Sequence, residues 1–326
     1  MSSYQPGPCP VCGATGGRTI ADRADLQDEL ERLWAFHLRR LRRGVPVERL
    51  ADRVVFTQPL PLRVARCHRC GLVRRDPLDA PRQVDERYRD ASVEPEALEA
   101  LFHTQLATER GRARRLTRIA GGAGQGIEVG CYTGAFLAAA AEVGWRFEGV
   151  DVNEVVIEHV RRKGLAARLG EADVLGDAGG LGEGRWDAVA LWTCLDQLPD
   201  PRAAVRAAAR ALRPGGVLAV RVPSGAFYAR LRPRLEGPLA PAAERLLAWN
   251  NLLGFPYLHG FTRPSLRRLL ECAGLRVVQE AGGVLVRLSD RWSRRWAVAE
   301  EALVKGALRR LPVGAAPWLE VYARSG

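Results

Sequence analysis

The sequence has no uncharged apolar run approaching the ~20 residues that a helix needs to span a bilayer. Residues 1–10 lack the apolar core of a secretion signal, so a cytoplasmic protein is expected. Lysine is nearly missing: Lys163 and Lys305 are the only two, and arginine supplies the rest of 49 basic side chains. A net charge of +12 normally raises nucleic acid or an anionic membrane as a partner. Here the charge is uneven, at +6 over residues 1–120, −3 over 121–220 and +9 over 221–326. Arginine, alanine and glycine are abundant throughout, which fits codon bias better than a phosphate-binding stripe, and no nucleic-acid partner is expected. With 47% hydrophobic and 26% charged residues, the 326-residue chain is neither disordered nor collagen-like. It has room for one large domain and a smaller one.

Four of the seven cysteines form two C-x-x-C pairs, Cys9-Pro-Val-Cys12-Gly13 and Cys67-His-Arg-Cys70-Gly71. Two thiolates on one turn converge on a single ion, and the following glycine relieves the backbone as its amides turn toward sulfur. Two such knuckles complete a tetrahedral S4 site, which is closed and therefore structural; Zn2+ is the expected ion. The competing readings are two unrelated redox pairs or free thiols. The loop between the pairs exceeds the ~15 to 20 residues of a compact ribbon. Residues Ala24 to Arg43 account for it as an inserted amphipathic helix, with Leu26, Leu30, Leu33, Trp34, His37, Leu38 and Leu41 at helical spacing.

From about residue 95 helix and strand signals alternate, as in a doubly wound α/β sheet. Glu96 to Ala120 reads as a helix broken by Gly121-Gly-Ala-Gly124. Ile127-Glu-Val-Gly130-Cys-Tyr-Thr-Gly134 then runs from a short strand through a glycine turn into an alanine-rich helix with free N–H groups at its start. The spacing is not G-x-G-x-x-G, and Glu128 sits in the strand itself, which argues against a pyrophosphate and for a ligand that carries an amino group. The next strand, Arg146 to Val150, ends at Asp151, where a carboxylate accepts hydrogen bonds from ribose hydroxyls. Asn153 caps a helix that stops at Gly164. Strands at Ala166–Leu169, Trp186–Thr193 and Val217–Val222 follow, with Asp200-Pro201 opening the helix between the last two.

These elements, with Gly149-Val-Asp151, Arg185-Trp-Asp187, the Leu195-to-Pro201 segment and Leu212-Arg-Pro-Gly-Gly216, resemble the class I S-adenosylmethionine-dependent methyltransferases. The resemblance covers residues 120–222. His259 to Leu275 and Pro317 to Arg324 are similar to that family's late helix and last strand. It implies a Rossmann-like seven-stranded sheet preceded by a small zinc-binding module, divided as residues 1–85 and 86–326 with a substrate-lid insertion at 223–262. It further implies S-adenosylmethionine as cofactor. Glu128, Gly130 and Gly134 are then expected about its methionine part, Asp151 at the ribose, and Glu171 and Ala172 at the adenine, with Cys131, Tyr132, Val152 and Trp192 as further cofactor-binding residues. With the preceding zinc module, the whole chain is similar to a bacterial group that includes sugar methyltransferases, so the expected acceptor is a sugar or related small metabolite.

Two departures from the family pattern matter. Tyr132 replaces a middle glycine, and Asp196-Gln197 replaces the common Glu-His pair. Methyl transfer from a sulfonium is an in-line displacement that needs positioning and, for a protonated nucleophile, a base. His259, Tyr257 and Asp196 are the candidate catalytic residues, with His103 and Tyr88 behind them. The insertion mixes Arg230, Arg232, Arg234 and Arg245 with aromatic residues, so an anionic or nucleotide-linked acceptor is the sharper alternative to a solvated lid. Trp292 to Leu311 reads as an arginine-studded helix with Trp296, Leu303 and Leu308 apolar; packing on the domain is preferred to membrane-surface contact. The alternative function is a zinc-ribbon nucleic-acid binder with a degenerate α/β domain, and a nicotinamide oxidoreductase lacks its glycine fingerprint. The sequence assigns no oligomeric state.

Overall fold

The computed structural model describes residues 7–50, 59–79, 81–91, 93–170, 175 and 180–326. Its contacts divide the chain into two units. The first comprises Met1–Asp79, Pro223–Leu266 and Gly282–Leu319, and the second Ala80–Val222, Arg267–Ala281 and Glu320–Gly326. This grouping differs from the 1–85 and 86–326 division expected above, because the 223–262 insertion belongs with the cysteine-bearing residues.

The first unit is built on an antiparallel sheet of β1 (Arg18–Asp22), β2 (Arg63–Arg66), β3 (Val73–Asp76) and β9 (His259–Gly260). The second cysteine pair forms the hairpin turn between β2 and β3. The inserted helix is present as α1 (Arg23–Leu38), which ends five residues before the end that the sequence periodicity predicts. Asp22 and Asp25 cap it reciprocally, each carboxylate accepting from the other's backbone N–H. One stripe of α1, Leu26, Leu33 and Phe36, is fully buried, and a four-stranded ribbon is too small to cover it. The cover comes from the insertion, whose α7 (Gly225–Leu231), α8 (Ala240–Ala248) and following loop contribute Phe227, Tyr228, Leu247, Trp249 and Phe255 to the same core.

Charge is buried in that core. Glu29 on α1 is 1% exposed and accepts from the Gly254 amide at 2.9 Å, the Tyr228 hydroxyl at 3.0 Å and Arg232 at 3.3 Å. Burial pushes its pKa up to about 7. Arg232 also pairs with Asp25 and Glu236, and Arg245 with Glu300, so these two arginines of the insertion are engaged by carboxylates of the same unit. The last helix of the unit, α10 (Arg295–Leu308), buries Leu308 as its expected packing requires, but Trp296 and Leu303 are 48% and 77% exposed, and Ala297, Glu301 and Lys305 face inward in their place. Glu301 accepts from the Leu288 and Ser289 amides at 2.7 and 2.8 Å and pairs with Lys305. This capture of two loop amides turns the helix away from its most apolar stripe.

The second unit carries a seven-stranded sheet in the order β10 (Leu275–Gly283), β11 (Trp318–Ser325), β8 (Leu212–Pro223), β7 (Trp186–Trp192), β4 (Gln125–Val129), β5 (Arg146–Asp151) and β6 (Ala167–Leu169). The β8–β7–β4–β5–β6 neighbours are parallel. This is the expected Rossmann-like architecture, and the strand order turns back at β4. Strand β8 continues through Arg213-Pro-Gly-Gly216, which the sequence presents as a turn. Helix α3 (Pro95–Ala120) ends on left-handed Gly121, and its Ala113 and Leu116 pack with Phe136, Leu137 and Ala140 of α4 (Ala135–Ala141) in the sheet's core. Asp187 binds the Gln125 amide at 2.7 Å and Arg213 at 2.9 Å, so it pins the start of β4. Among the described residues no helix is long and apolar enough to cross a membrane.

Glu301→Ala would strand Lys305 and two amides in the core, so a loss of about 3–5 kcal/mol is expected. The urea midpoint checks this, and Glu301→Leu with Lys305→Met should cost far less than either single replacement. Equal costs for single and double variants would show that the pair is not coupled.

Candidate functional site

The parallel strands of the second unit end in a row of acidic side chains. Glu128 lies in β4, opposite Gly149 of β5 on one side and Ala190 of β7 on the other. It is 3% exposed, and its Oε2 has no hydrogen-bond partner among the described residues. Burial, then the charges of Glu109 and Asp151, raise its pKa well above the ordinary carboxylate range, with Arg112 opposing. Asp151 at the end of β5 accepts from the Tyr132 amide at 3.0 Å and the Asn153 amide at 3.1 Å, and burial raises its pKa against these bonds.

The turn after β4 explains the unusual tyrosine. Gly130 has φ +76°, and its amide and that of Cys131 both donate to the Val150 carbonyl. Tyr132 then adopts φ +42°, the left-handed region in which the middle glycine of the family pattern is at ease. A non-glycine residue there costs roughly 1–2 kcal/mol. The bond from its N–H to Asp151 holds the strained residue and the carboxylate together. Gly134 is left-handed too and opens α4, a helix of seven residues. Cys131 is buried, and burial followed by Asp151 and Glu128 keeps its thiol protonated. Val152 is partly buried beside Asp151.

At the end of β7, Trp192 is 6% exposed with its Nε1 unpartnered among the described residues. The strand leaves through Thr193, also left-handed at φ +56°, to Asp196 in a short 3-10 turn. Asp196 is fully buried, its Oδ1 has no partner among the described residues, and desolvation pushes its pKa up to about 7. Arg221 and the Gln197 amide act in the opposite direction. Sequence reasoning missed the charges behind this row. Arg112 of α3 pairs with Glu109 and Glu320, sits 5.5 Å from the Trp192 ring, and is joined at Glu320 by Arg115 and the Tyr322 hydroxyl. The available signal was the i, i+3 Glu109–Arg112 pair on an otherwise amphipathic helix.

The remaining expected residues are placed as follows. Glu171 and Ala172 lie outside the described residues. Tyr257 and His259 are buried in the first unit, Tyr257 edge-on to Phe255 and Trp318, and His259 in β9 opposite Arg74 of β3. His103 is exposed on α3 and pairs with Glu99.

The first unit brings Cys9, Cys12, Cys67 and Cys70 together, all buried, with the four sulfurs within 4.8 Å of one another. Cys9–Cys70 and Cys12–Cys67 are 3.6 Å apart, too long for disulfides. A tetrahedron with Zn–S bonds of about 2.3 Å has edges of roughly 3.8 Å, so the donor set fits Zn2+. The two knuckles have the same backbone: Gly13 and Gly71 donate to the Cys9 and Cys67 carbonyls, while the Cys9 and Cys67 amides donate to Ala14 and Leu72. Both glycines are left-handed, as the C-x-x-C-G pattern predicts.

A family model described as a methyltransferase domain matches residues 98–280. A ubiquinone biosynthesis O-methyltransferase from Xanthomonas oryzae is 29% identical over 123 residues, 33% of this chain and 52% of that protein. The protein of the same name from Idiomarina loihiensis is 30% identical over 158 residues, 46% of this chain and 60% of that one. The chain thus spans about half the length of these curated relatives. A Burkholderia thailandensis 1,6-didemethyltoxoflavin-N1-methyltransferase, solved with S-adenosylhomocysteine, superposes with a TM-score of 0.44 at 20% identity, over 81% of this chain and 95% of that one.

The buried Asp196 carboxyl makes stability depend on pH. Its pKa of about 7 in the folded protein lies above the unfolded value of about 3.9. The native state therefore keeps a proton that the unfolded state releases, and stability is lost as pH rises from about 4 to 7. Asp196→Asn should lose about 4 kcal/mol less than wild type across that window in denaturant titrations. Parallel curves for the two proteins would show that Asp196 ionises normally.

Proposed function

The chain belongs to the methyltransferase-domain family, and on that premise we propose that it transfers a methyl group from S-adenosylmethionine to a hydroxyl of a small-molecule acceptor. The observation that carries this reading is the pair of carboxylates at neighbouring strand ends, Glu128 with a buried oxygen that has no partner among the described residues and Asp151 held by the Tyr132 and Asn153 amides. A cation near Glu128 relieves the cost of burying that charge, and the cofactor's ammonium is such a cation. Asp151 has lone pairs left for ribose hydroxyls after accepting two amides. When bound, S-adenosylmethionine supplies an electrophilic methyl group on its sulfonium.

The relatives' names support an oxygen nucleophile and give no support to a sugar, so the acceptor is taken as a hydroxyl compound without further narrowing. An anionic or nucleotide-linked acceptor loses two of its proposed arginine ligands, since Arg232 and Arg245 are committed to carboxylates. Asp196 is the base of this proposal. It lies in the same unit as Glu128 and Asp151, and a carboxyl with a pKa near 7 is suited to take a proton from a hydroxyl at neutral pH. We also propose that the four cysteines hold a structural Zn2+, because their spacing and burial leave no vacant coordination position.

Calorimetric titration tests the cofactor: S-adenosylmethionine and S-adenosylhomocysteine should bind and NAD should not. Asp151→Ala should weaken S-adenosylhomocysteine binding at least tenfold, from the loss of charge-assisted hydrogen bonds worth about 1.5–3 kcal/mol. Absence of binding by the purified protein would overturn the reading. For the metal, about one zinc per chain is expected by elemental analysis, with a sharp drop in Cys67→Ser; near-zero zinc in both would remove the site.

A further inference from the structure

Asn153 has more to do than cap a helix. Its side chain is 4% exposed, and Oδ1 accepts from the Val156 amide at 3.2 Å, which opens α5 (Glu154–Arg162). The amide nitrogen lies on the other side, 3.1 Å from the Tyr88 carbonyl, 3.1 Å from that of Arg89 and 3.2 Å from that of Ala91. Only one orientation of the amide serves both sets, because Val156 offers a donor and the three carbonyls are acceptors. Those carbonyls stand at the C-terminal end of α2 (Pro81–Arg89) and just beyond it, where a helix leaves its last C=O groups without intrahelical partners. The backbone N–H of the same residue donates to Asp151 Oδ1. One residue therefore joins three things: the start of α5, the exit of α2, and the carboxylate assigned above to the ribose.

We propose that Asn153 is a positioning residue that latches the 81–91 strap to the adenosine-binding turn, so that strap docking and cofactor binding reinforce each other. The inference rests on the S-adenosylmethionine reading. The physical basis is that the Asn153 backbone N–H is one of the two amides that hold Asp151 in the observed geometry, so a shift of Asn153 shifts the carboxylate. Three carbonyl contacts and a helix cap fix Asn153 in place. Coupling of this kind is reciprocal: cofactor bound at Asp151 must stabilise the docked strap by the same factor as the docked strap improves cofactor affinity. The structure supplies further ties on the same side, since Lys163 at the end of α5 pairs with Glu99 at 2.6 Å and lies 4.0 Å above the Phe102 ring on α3.

Asn153→Asp separates the latch from the cap. An aspartate caps α5 as well as asparagine does, but it has no donor and sets a negative charge against three carbonyls at the negative end of a helix. Asn153→Ser keeps a capping oxygen and adds no charge. Both variants should bind S-adenosylhomocysteine about tenfold more weakly and show faster hydrogen exchange across residues 83–91. In wild type, saturating S-adenosylhomocysteine should slow that exchange. In the variants the protection should shrink by the same factor as the affinity.

Wild-type affinity and exchange in Asn153→Asp would reduce the residue to a cap and overturn the proposal. Faster exchange with unchanged affinity would also overturn it, because strap and cofactor would then be independent. A wild type that binds neither S-adenosylmethionine nor S-adenosylhomocysteine would instead sink the cofactor reading, and this one with it. That failure is distinguishable, since it shows before any variant is made.

Discussion

Desolvation of negative charge at the ends of parallel strands governs the second unit. Glu128, Asp151 and Asp196 are withdrawn from water at or just after β4, β5 and β7, and each has its pKa raised by that withdrawal. An isolated carboxylate in such surroundings is tolerated only if it is protonated, hydrogen-bonded or paired. The protein uses all three devices unequally. Asp151 receives two amides, Asp196 feels Arg221 and Gln197, and Glu128, whose Oε2 has no partner among the described residues, has Arg112 opposing its shift. The most weakly compensated member of the row is the one to which the proposed function assigns the cofactor's ammonium.

The same physics appears in the first unit with a different outcome. Glu29 and Glu301 are as deeply buried as Glu128, but each is saturated: Glu29 by an amide, a tyrosine hydroxyl and Arg232, Glu301 by two amides, a serine and Lys305. Saturated buried carboxylates fix loops and helix rotation, and unsaturated ones await a partner. This contrast separates Glu128 from Glu29 and Glu301 more sharply than burial does, since all three are almost wholly withdrawn from solvent.

What the sequence disclosed follows from whether an interaction is local. The knuckles were legible because C-x-x-C-G encodes a turn within five residues, and both glycines are left-handed as that turn requires. The Glu128–Gly130–Gly134–Asp151 constellation was legible because strand, turn and helix follow one another along the chain. Glu29 was not, because a single acidic residue on a leucine stripe looks like a blemish until its partners, 199 to 225 residues away, are known. The rotation of α10 was hidden for the same reason: Leu303 fits an apolar stripe, yet the face chosen is the one whose Glu301 reaches two loop amides. The second role of Asn153 depended on carbonyls 62 to 65 residues upstream, which no cap pattern reveals.

The excess of arginine takes on a different meaning at this level. Arg40, Arg63, Arg74, Arg75, Arg112 and Arg232 each pair with a carboxylate inside their own unit, and Arg74, Arg75 and Arg112 are themselves almost wholly buried. Guanidinium suits this use because it is planar, weakly hydrated and carries five donors in a fixed fork, so one side chain serves two acceptors at once. Arg74 reaches both Asp76 and the Gly7 carbonyl, and Arg40 lies 3.3 Å over the Phe36 ring while holding Glu300. Lysine, a compact and strongly hydrated point charge, could not make those contacts without leaving part of its shell unreplaced. Part of the basic composition therefore forms internal ties between distant segments; these ties leave the net charge of +12 unchanged, since it already counts the carboxylates that make them.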